Sequence, residues 1–379
     1  MDLKDLREEI NKIDDELVKL FCQRMNLSLE IAKFKMQNQL TVLDKERERR
    51  LLEKVSDASP KELETYTRSL YTTIFNLSRS YQHKYINQSN NISASVKKAV
   101  SETVPLFPKR ATVACQGVSG SYSELACEKA FELPQIMFFH SFESVFKAVK
   151  EGLCNYGLLP LENSTAGSVN QVYDLMRKNK FYIARSIRLK INHCLLAKKG
   201  VDISDIKEVF SHEQAINQCS EFLNNNGIKA TVCENTAVAA KLVSESKRTD
   251  IAAISSENCA ELYGLNILFS DIQNNKNNYT RFICISKNLE IYPGASKTSF
   301  MMTIPHTPGS LYSVIARFYA LGINLIKLES RPLPEQDFEF MFYFDVECSV
   351  YSDEIISLID ELESNIKSFT YLGSYSEVL

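Results

Sequence analysis

The 379-residue chain is predicted to fold as several domains: an all-helical front segment, an α/β middle and a βαββαβ tail. Three observations predict it. The length exceeds what one hydrophobic core organises. The hydrophobic period is helical at the front and switches to short apolar runs alternating with helical stretches after about residue 110. A further change of style comes at Thr298, where longer strands are interrupted by two helical patterns.

In the front segment Leu6, Ile10, Ile13, Leu17 and Leu20 follow a three-four spacing that continues loosely to Ile31 and Phe34, the seam of one long packed helix. A second helix is expected over roughly Asp44 to Val55. A third is expected to open at the capping box Ser59-Pro60-Lys61-Glu62, with proline at the first helical position, and to run to about Tyr85. Residues 1–86 thus form a helical domain. Residues 87–110 are polar and then proline-bearing, without a durable period, and read as a linker.

From residue 111 to 286 the runs ATVACQG, YGLLPLE, HCLLAKK, EVFSH, DIAAIS and RFICIS alternate with helical stretches, which predicts a mostly parallel sheet. Several of these runs end in small polar residues. Strand ends that feed helix N-termini are where backbone N–H groups converge on anions. Residues 298–379 follow with strand TSFMMTIP, a helix from Pro308 to Leu321 capped by Thr307, strands INLIKLES and FEFMFYFDVE, a helix opening at Ser352, and a last strand near Tyr371. That is the element order of a ferredoxin-like domain.

The formal net charge of -3 provides no basic field for a nucleic-acid backbone, so small polar ligands fit better. The ten cysteines form no C-x-x-C pair and fall mostly in apolar runs, as reduced buried thiols do. The charged start MDLKDLREEI and the lack of any apolar run of membrane length predict a cytoplasmic protein without a signal peptide or membrane span.

Arg24 and Lys35 lie eleven residues apart on the first helix. That is about 16 Å and close to three turns, so both cations share a stripe and can grip one small anion. Arg7 sits roughly 25 Å from Arg24 along the same helix and points elsewhere. One small ligand reaches both only if a second chain supplies Arg7, which predicts a dimer of paired long helices. Asp44, Arg47 and Glu48 on the second helix, with Ser78 and Gln82 one turn apart on the third, complete the polar set.

With L-R-E-x-I at Leu6 to Ile10, the Arg24 and Lys35 pair, D-x-x-R-E at Asp44 to Glu48 and S-x-x-x-Q at Ser78 to Gln82, the front segment resembles the all-helical chorismate mutases. The resemblance implies a pericyclic rearrangement of chorismate to prephenate, needing neither nucleophile nor cofactor. Catalysis then comes from holding a compact dicarboxylate and stabilising the breaking ether oxygen. By that resemblance Arg7 and Arg24 hold carboxylates, Lys35 and Gln82 donate to the ether oxygen, and Glu48 accepts from the ring hydroxyl. Arg47, Asp44 and Ser78 finish the lining.

In the middle, Gly117 to Ser123 form a glycine-bearing loop after a strand, and Ser121 with Glu124 reads as a capping box opening a helix, a plausible anion cradle. It has neither the P-loop lysine nor dinucleotide spacing. His212 fits a catalytic or a structural role equally, and no metal-ligand cluster is evident. Together with Pro160-Leu161-Glu162-Asn163-Ser164, Ser211, Gln218, Thr236 and Thr280-Arg281-Phe282, residues 111–286 resemble prephenate dehydratase. The resemblance implies two α/β lobes of the periplasmic-binding-protein kind, crossed near residues 185 and 270, with substrate in the cleft. It also implies the conversion of prephenate to phenylpyruvate, carbon dioxide and water. Thr280 would donate to the departing hydroxyl, Asn163, Ser164, Ser211, Gln218 and Thr236 would line the cleft, Arg281 would support it or bind carboxylate, and Phe282 would belong to the same site.

In the tail Gly309, Ser310 and Leu311 at the first helix, and Glu329, Ser330, Arg331 and Pro332 after the second strand, resemble the ACT regulatory domain of prephenate dehydratases. The resemblance implies that L-phenylalanine binds there between paired domains and lowers dehydratase activity. The combined expectation is a bifunctional enzyme of phenylalanine biosynthesis, without metal or organic cofactor, acting as a dimer or a dimer-based oligomer. Two alternatives remain: a dehydratase whose front helices only dimerise it, and a two-lobed ligand-binding module.

Overall fold

The computed structural model describes residues 2–38, 40, 42–85, 91–333, 339–366 and 368–379. Residues 1 and 86–90, which include both ends of the expected helical domain and the start of the expected linker, lie outside them. So do residues 334–338, with the first residue of one expected strand. The chain divides into two compact units, Met1–Lys98 with Thr298–Tyr371, and Ala99–Lys297 with Leu372–Leu379.

The first unit opens with α1 (Leu3–Gln37), whose N-cap Asp2 and Asp5 satisfy each other's backbone N–H groups in a capping box. It is about 52 Å long. Its apolar stripe is not buried within this chain: Leu6, Ile10, Ile13, Leu17 and Leu20 are all exposed, and full burial begins only at Ser28 and Ala32. Helix α2 (Lys45–Asp57) is capped by Asp44. Helix α3 (Glu64–Tyr85) starts later than the sequence pattern suggests, because the Ser59 hydroxyl donates back to the Val55 carbonyl at the end of α2 instead of capping a new helix. Helix α4 (Asn91–Glu102) occupies much of the segment read as an irregular linker; its Val96 and Ala99 are buried, a helical pairing of apolar positions that the surrounding polar residues mask.

The second unit carries two sheets. Strands β1 (Arg110–Gln116), β2 (Leu133–Phe139), β3 (Tyr156–Asn163), β4 (Gly167–Ser168) and β5 (Tyr182–Lys190) alternate with helices α5 (Tyr122–Ala130), α6 (Phe142–Glu151) and α7 (Asn170–Lys178). The chain crosses to the second sheet at 191–193, a few residues later than expected. There β6 (Cys194–Ala197), β7 (Glu208–Ser211), α8 (Glu213–Gln218), α9 (Ser220–Asn225), β8 (Lys229–Val232), α10 (Thr236–Glu245), β9 (Ile251–Ser255), α11 (Glu257–Tyr263) and β10 (Asn266–Phe269) follow. It returns through 270–278 to β11 (Tyr279–Ser286).

The sheets are mixed rather than mostly parallel. In the first, β1 pairs in parallel with β2 and β3, whereas β11 is antiparallel to both β3 and β5. In the second, of order β10-β6-β9-β7-β8, the first two pairings are antiparallel and the last two parallel. The antiparallel pairs arise where the chain leaves one lobe and re-enters it, a return that right-handed helical crossovers do not make. Apolar cores lie under each sheet, one around Val113, Leu158, Ile187 and Cys284, the others around Val209, Ile254 and Ala253.

The tail, counted mainly with the first unit, contains β12 (Lys297–Ile304), α12 (Ser310–Ala320), β13 (Asn324–Pro332), β14 (Phe340–Glu347), α13 (Asp353–Asn365) and β15 (Phe369–Tyr375), in the sheet order β13-β14-β12-β15. The first tail helix begins at Ser310 rather than Pro308, with Gly309 at φ 83° as its N-cap. Helix α3 packs on both α12 and α13. There the buried Arg317 and Glu361 approach to 2.9 Å, and Glu361 also accepts a hydrogen bond from the Ser80 hydroxyl at 2.8 Å. The final residues Glu377–Val378, β16, pair with β5. No helix among the described residues is long and apolar enough to cross a membrane.

Candidate functional sites

One pocket lies among α1, α2 and α3. Seven of the eight polar positions singled out in the front segment line it: Arg24, Lys35, Asp44, Arg47, Glu48, Ser78 and Gln82. Arg7 does not; it is exposed near the start of α1. Helix spacing explains the convergence, since Arg24, Ser28 and Lys35 share one face of α1, and Ser78 and Gln82 share one face of α3. Ser28 and Ser78 join the two helices through hydroxyls 2.6 Å apart. Lys35 donates to the Val42 carbonyl at 2.5 Å, and Asp44 accepts from the Arg47 N–H at 3.0 Å.

Polar groups in this pocket are left incompletely paired. One terminal nitrogen of Arg24 and the Oε1 of Gln82 are buried without a hydrogen-bond partner, and the Arg24 guanidinium lies 5.7 Å from the Phe75 ring centre. Desolvation lowers the pKa of both Arg24 and Lys35, with Arg47 adding to the shift and Glu48 opposing it. Cations held at that cost, with donors unspent, suit a small anion that would pair them on arrival. Phe75, Ser28 and Arg79 also line the pocket and were not anticipated.

The second site is a cleft of about 430 Å³ between the two sheets of the second unit, the size of a small-molecule site. Asn163, Gln218, Thr236, Thr280 and Phe282 line it. Ser164, Ser211 and Arg281 do not. The Ser164 hydroxyl instead bonds the return segment, donating to the Asn277 carbonyl and accepting from the Tyr279 N–H. Ser211 is fully buried and donates to the Ile254 carbonyl at 2.6 Å. Arg281 lies on the other face of β11, 3.3 Å from Glu162.

Register places the key side chains. Thr280 stands opposite Asn163 across β11 and β3, as Arg281 stands opposite Glu162. Asn163 is the hub: its Nδ2 donates to Asn278 Oδ1 at 2.7 Å and to Thr280 Oγ1 at 3.0 Å, while its Oδ1 accepts from the Thr165 and Ala166 N–H groups. Gln218 joins this net by accepting from Asn278 Nδ2 at 2.9 Å and donating to the Thr165 hydroxyl at 2.7 Å.

His193, at the first crossing, completes the net and was missed by sequence reasoning, which weighed only His212. Its Nε2 meets Gln218 Oε1 at 2.9 Å and its Nδ1 meets the Tyr122 hydroxyl at 3.2 Å. Because Gln218 presents its carbonyl oxygen, the network assigns the proton to Nε2. Burial lowers the His193 pKa, against the Gln218 hydrogen bond, so the ring is neutral at pH 7. His212 is the N-cap of α8, accepting from the Gln214 N–H. Ser121 caps α5, but Glu124 reaches past it to the Gly120 N–H, so only half of the expected capping box forms.

Among the described residues, no Asp, Glu, Lys or Arg lines this cleft. What faces it instead are helix starts: Ser121 of α5, Phe142 of α6, Val169 of α7, His212 of α8, and Asn235 with Thr236 of α10. Five helices therefore turn the positive ends of their dipoles toward one cavity. Such an arrangement suits an anion without any formal charge beside it.

Residues 6–83 match the chorismate mutase type II family and residues 113–290 the prephenate dehydratase family. The bifunctional chorismate mutase/prephenate dehydratase of Escherichia coli strain K12 is 31% identical over 379 residues, an alignment covering 98% of this chain and 95% of that one. The chain belongs to this bifunctional family. It is both a chorismate mutase and a prephenate dehydratase. An arogenate dehydratase/prephenate dehydratase of Arabidopsis thaliana is 36% identical over 315 residues, covering 76% of this chain and 82% of the plant protein. Among solved structures, prephenate dehydratase from Arthrobacter aurescens, in complex with L-Phe, is 27% identical with a TM-score of 0.65, over 70% of this chain and 90% of that one. The helical pocket therefore belongs to the mutase domain and the two-lobed cleft to the dehydratase domain.

Proposed function

We propose that the α1–α3 pocket binds chorismate in a dimer, that the cleft dehydrates prephenate through Thr280, and that the tail senses L-phenylalanine. The observation that carries the first part is the buried terminal nitrogen of Arg24 that is left without a partner, in a pocket it shares with Lys35, Glu48 and Gln82. Arg24 takes a carboxylate, Lys35 and Gln82 donate to the ether oxygen as negative charge grows on it, and Glu48 accepts from the ring hydroxyl. Arg47, Asp44 and Ser78 close the lining. In the cleft Asn163, Gln218, Thr236 and Phe282 hold prephenate, while Ser164, Ser211 and Arg281 stabilise the surrounding backbone.

The exposed stripe Leu6, Ile10, Ile13, Leu17 and Leu20 supports a dimer in which two copies of α1 cover each other. That pairing delivers Arg7 to the partner's pocket. Arg7→Ala and Lys35→Met are each expected to lack mutase activity. Refolded together in equal amounts, they should recover about a quarter of the wild-type rate, since half of the dimers carry one intact site of two. Mixed dimers with no more activity than either parent would place Arg7 in its own chain's site and end the shared-site reading.

The tail is read as an ACT domain. Gly309 at φ 83° leaves the approach to α12 open beside Ser310 and Leu311, and β13, with Glu329, Ser330, Arg331 and Pro332, is an edge strand whose Ile326 and Leu328 are exposed. Such an edge suits pairing with a second copy. Added L-phenylalanine is expected to lower the dehydratase rate in this cytoplasmic enzyme. Gly309→Val, which cannot adopt that φ without strain, should weaken its binding about tenfold or more by calorimetry. An indifferent wild-type rate would remove the sensor from the reading.

A further inference from the structure

Arg79 is a charge of the mutase pocket that the established activity leaves without a role. It follows Ser78 on α3, one turn before Gln82, and its side chain is only 11% exposed. One terminal nitrogen pairs with Glu48 Oε1 across on α2; the other donates to Asn76 Oδ1 one turn back on its own helix. A guanidinium fixed at both tines cannot swing. The neighbouring Ser80 points to the other side of α3 and is tied to Glu361, so the helix itself is held against rotation.

We infer that Arg79 is a positioning residue for chorismate rearrangement: it clamps Oε1 of Glu48 and so aims Oε2 at the ring hydroxyl. The inference rests on the reading of Glu48 given above. Charge balance points the same way. Within one chain, Arg24, Lys35, Arg47 and Arg79 face Asp44 and Glu48, four cations against two carboxylates, which leaves a surplus of two for a dicarboxylate. Without Arg79 the half-buried Glu48 carboxylate loses its ion-pair partner and is free to turn away from the ring hydroxyl.

The test is a double-mutant cycle on the full chain. Arg79→Met should lower mutase kcat/KM about 10- to 50-fold, mainly in kcat, and Arg79→Lys should recover to within about threefold of wild type. In a Glu48→Gln background Arg79→Met should change kcat/KM by less than about twofold, because the group through which it acts is gone. A full loss persisting in that background would overturn the proposal, since it would show Arg79 acting independently of Glu48. A Glu48→Gln single variant as active as wild type would instead remove the role assigned to Glu48. Should Arg79→Met fail to fold, seen as loss of dehydratase activity on supplied prephenate, neutral Arg79→Gln carries the same cycle with the same two outcomes.

Discussion

Replacing Thr280 by valine is expected to lower the dehydratase kcat on supplied prephenate by about 10²–10³-fold, while chorismate is still consumed. Valine keeps the shape and removes one hydroxyl. That hydroxyl is in an unusual position: its oxygen already accepts from Asn163 Nδ2 at 3.0 Å, so its own proton remains to be given to a ligand. The donor behind it is itself polarised, because Asn163 and Asn278 belong to the chain of amides that continues through Gln218 to the neutral His193. Linked bonds of this kind reinforce one another in a low-dielectric cleft. A threonine alone is far too weak an acid to expel hydroxide. At the end of this chain it needs only to hydrogen-bond the leaving oxygen while aromatisation and loss of carbon dioxide supply the driving force. Phenylpyruvate formation, followed by its absorbance in alkali, measures the effect; a rate within about threefold of wild type would end the assignment.

How much of this was legible in the sequence depends on whether the signal is periodic. Thr280 and Phe282 line the cleft whereas Arg281 does not, and strand alternation alone requires that, since successive side chains leave opposite faces of β11. The same alternation separates Asn163 from Glu162 on β3. The resemblance placed Ser164 in the cleft and left Arg281 to support it or bind carboxylate, whereas alternation turns Arg281 to the other face beside Glu162. Ser211 is different. It ends a strand whose direction and neighbours the sequence does not disclose, and only the pairing of β7 with β9 shows that its hydroxyl meets the Ile254 carbonyl. His193 was hidden for a similar reason. It sits at a crossing expected eight residues earlier, and nothing local marks it as the link between Tyr122 and Gln218.

The front segment shows the opposite balance. Residues three, four, seven or eleven apart on a helix share a face, so spacing alone placed Arg24 with Lys35 and Ser78 with Gln82, while the gathering of these residues from three helices into one site was what the resemblance implied. Arg79 escaped because an arginine beside Ser78 reads as a solvated charge until Glu48 is seen across from it on α2. The apolar stripe of α1 was legible as a seam, but a single sequence does not say whether its own chain or another covers it. Here the chain leaves it exposed.

The two sites meet the same problem, a doubly charged substrate, with different physics, and that difference makes a second large prediction. The cleft offers helix N-termini and neutral amides, which do not titrate near neutral pH. The mutase pocket offers Lys35, an ionisable ammonium whose pKa burial lowers. Lys35→Met should lower mutase kcat by about 10²–10³-fold, since the charge that develops on the ether oxygen loses its donor. The pH profile should carry the same signature. Desolvation lowers the Lys35 pKa, with Asp44 opposing it and Arg47 assisting. The free enzyme therefore loses this proton at a lower pH than an ordinary lysine, and kcat/KM falls as pH rises through that point. Once two substrate carboxylates are bound they favour the ammonium form, so the alkaline fall in kcat must lie at higher pH than the fall in kcat/KM. Lys35→Arg, charged throughout, should lose that alkaline limb even if its rate is lower. Dehydratase rates measured in the same preparations should lack the Lys35-dependent limb, because among the described residues the titratable side chains that line that cleft are Tyr122, whose burial raises its pKa, and the imidazoles His193 and His212. An alkaline limb that survives Lys35→Arg unshifted would assign the titration to another group and leave Lys35 as a binding charge alone.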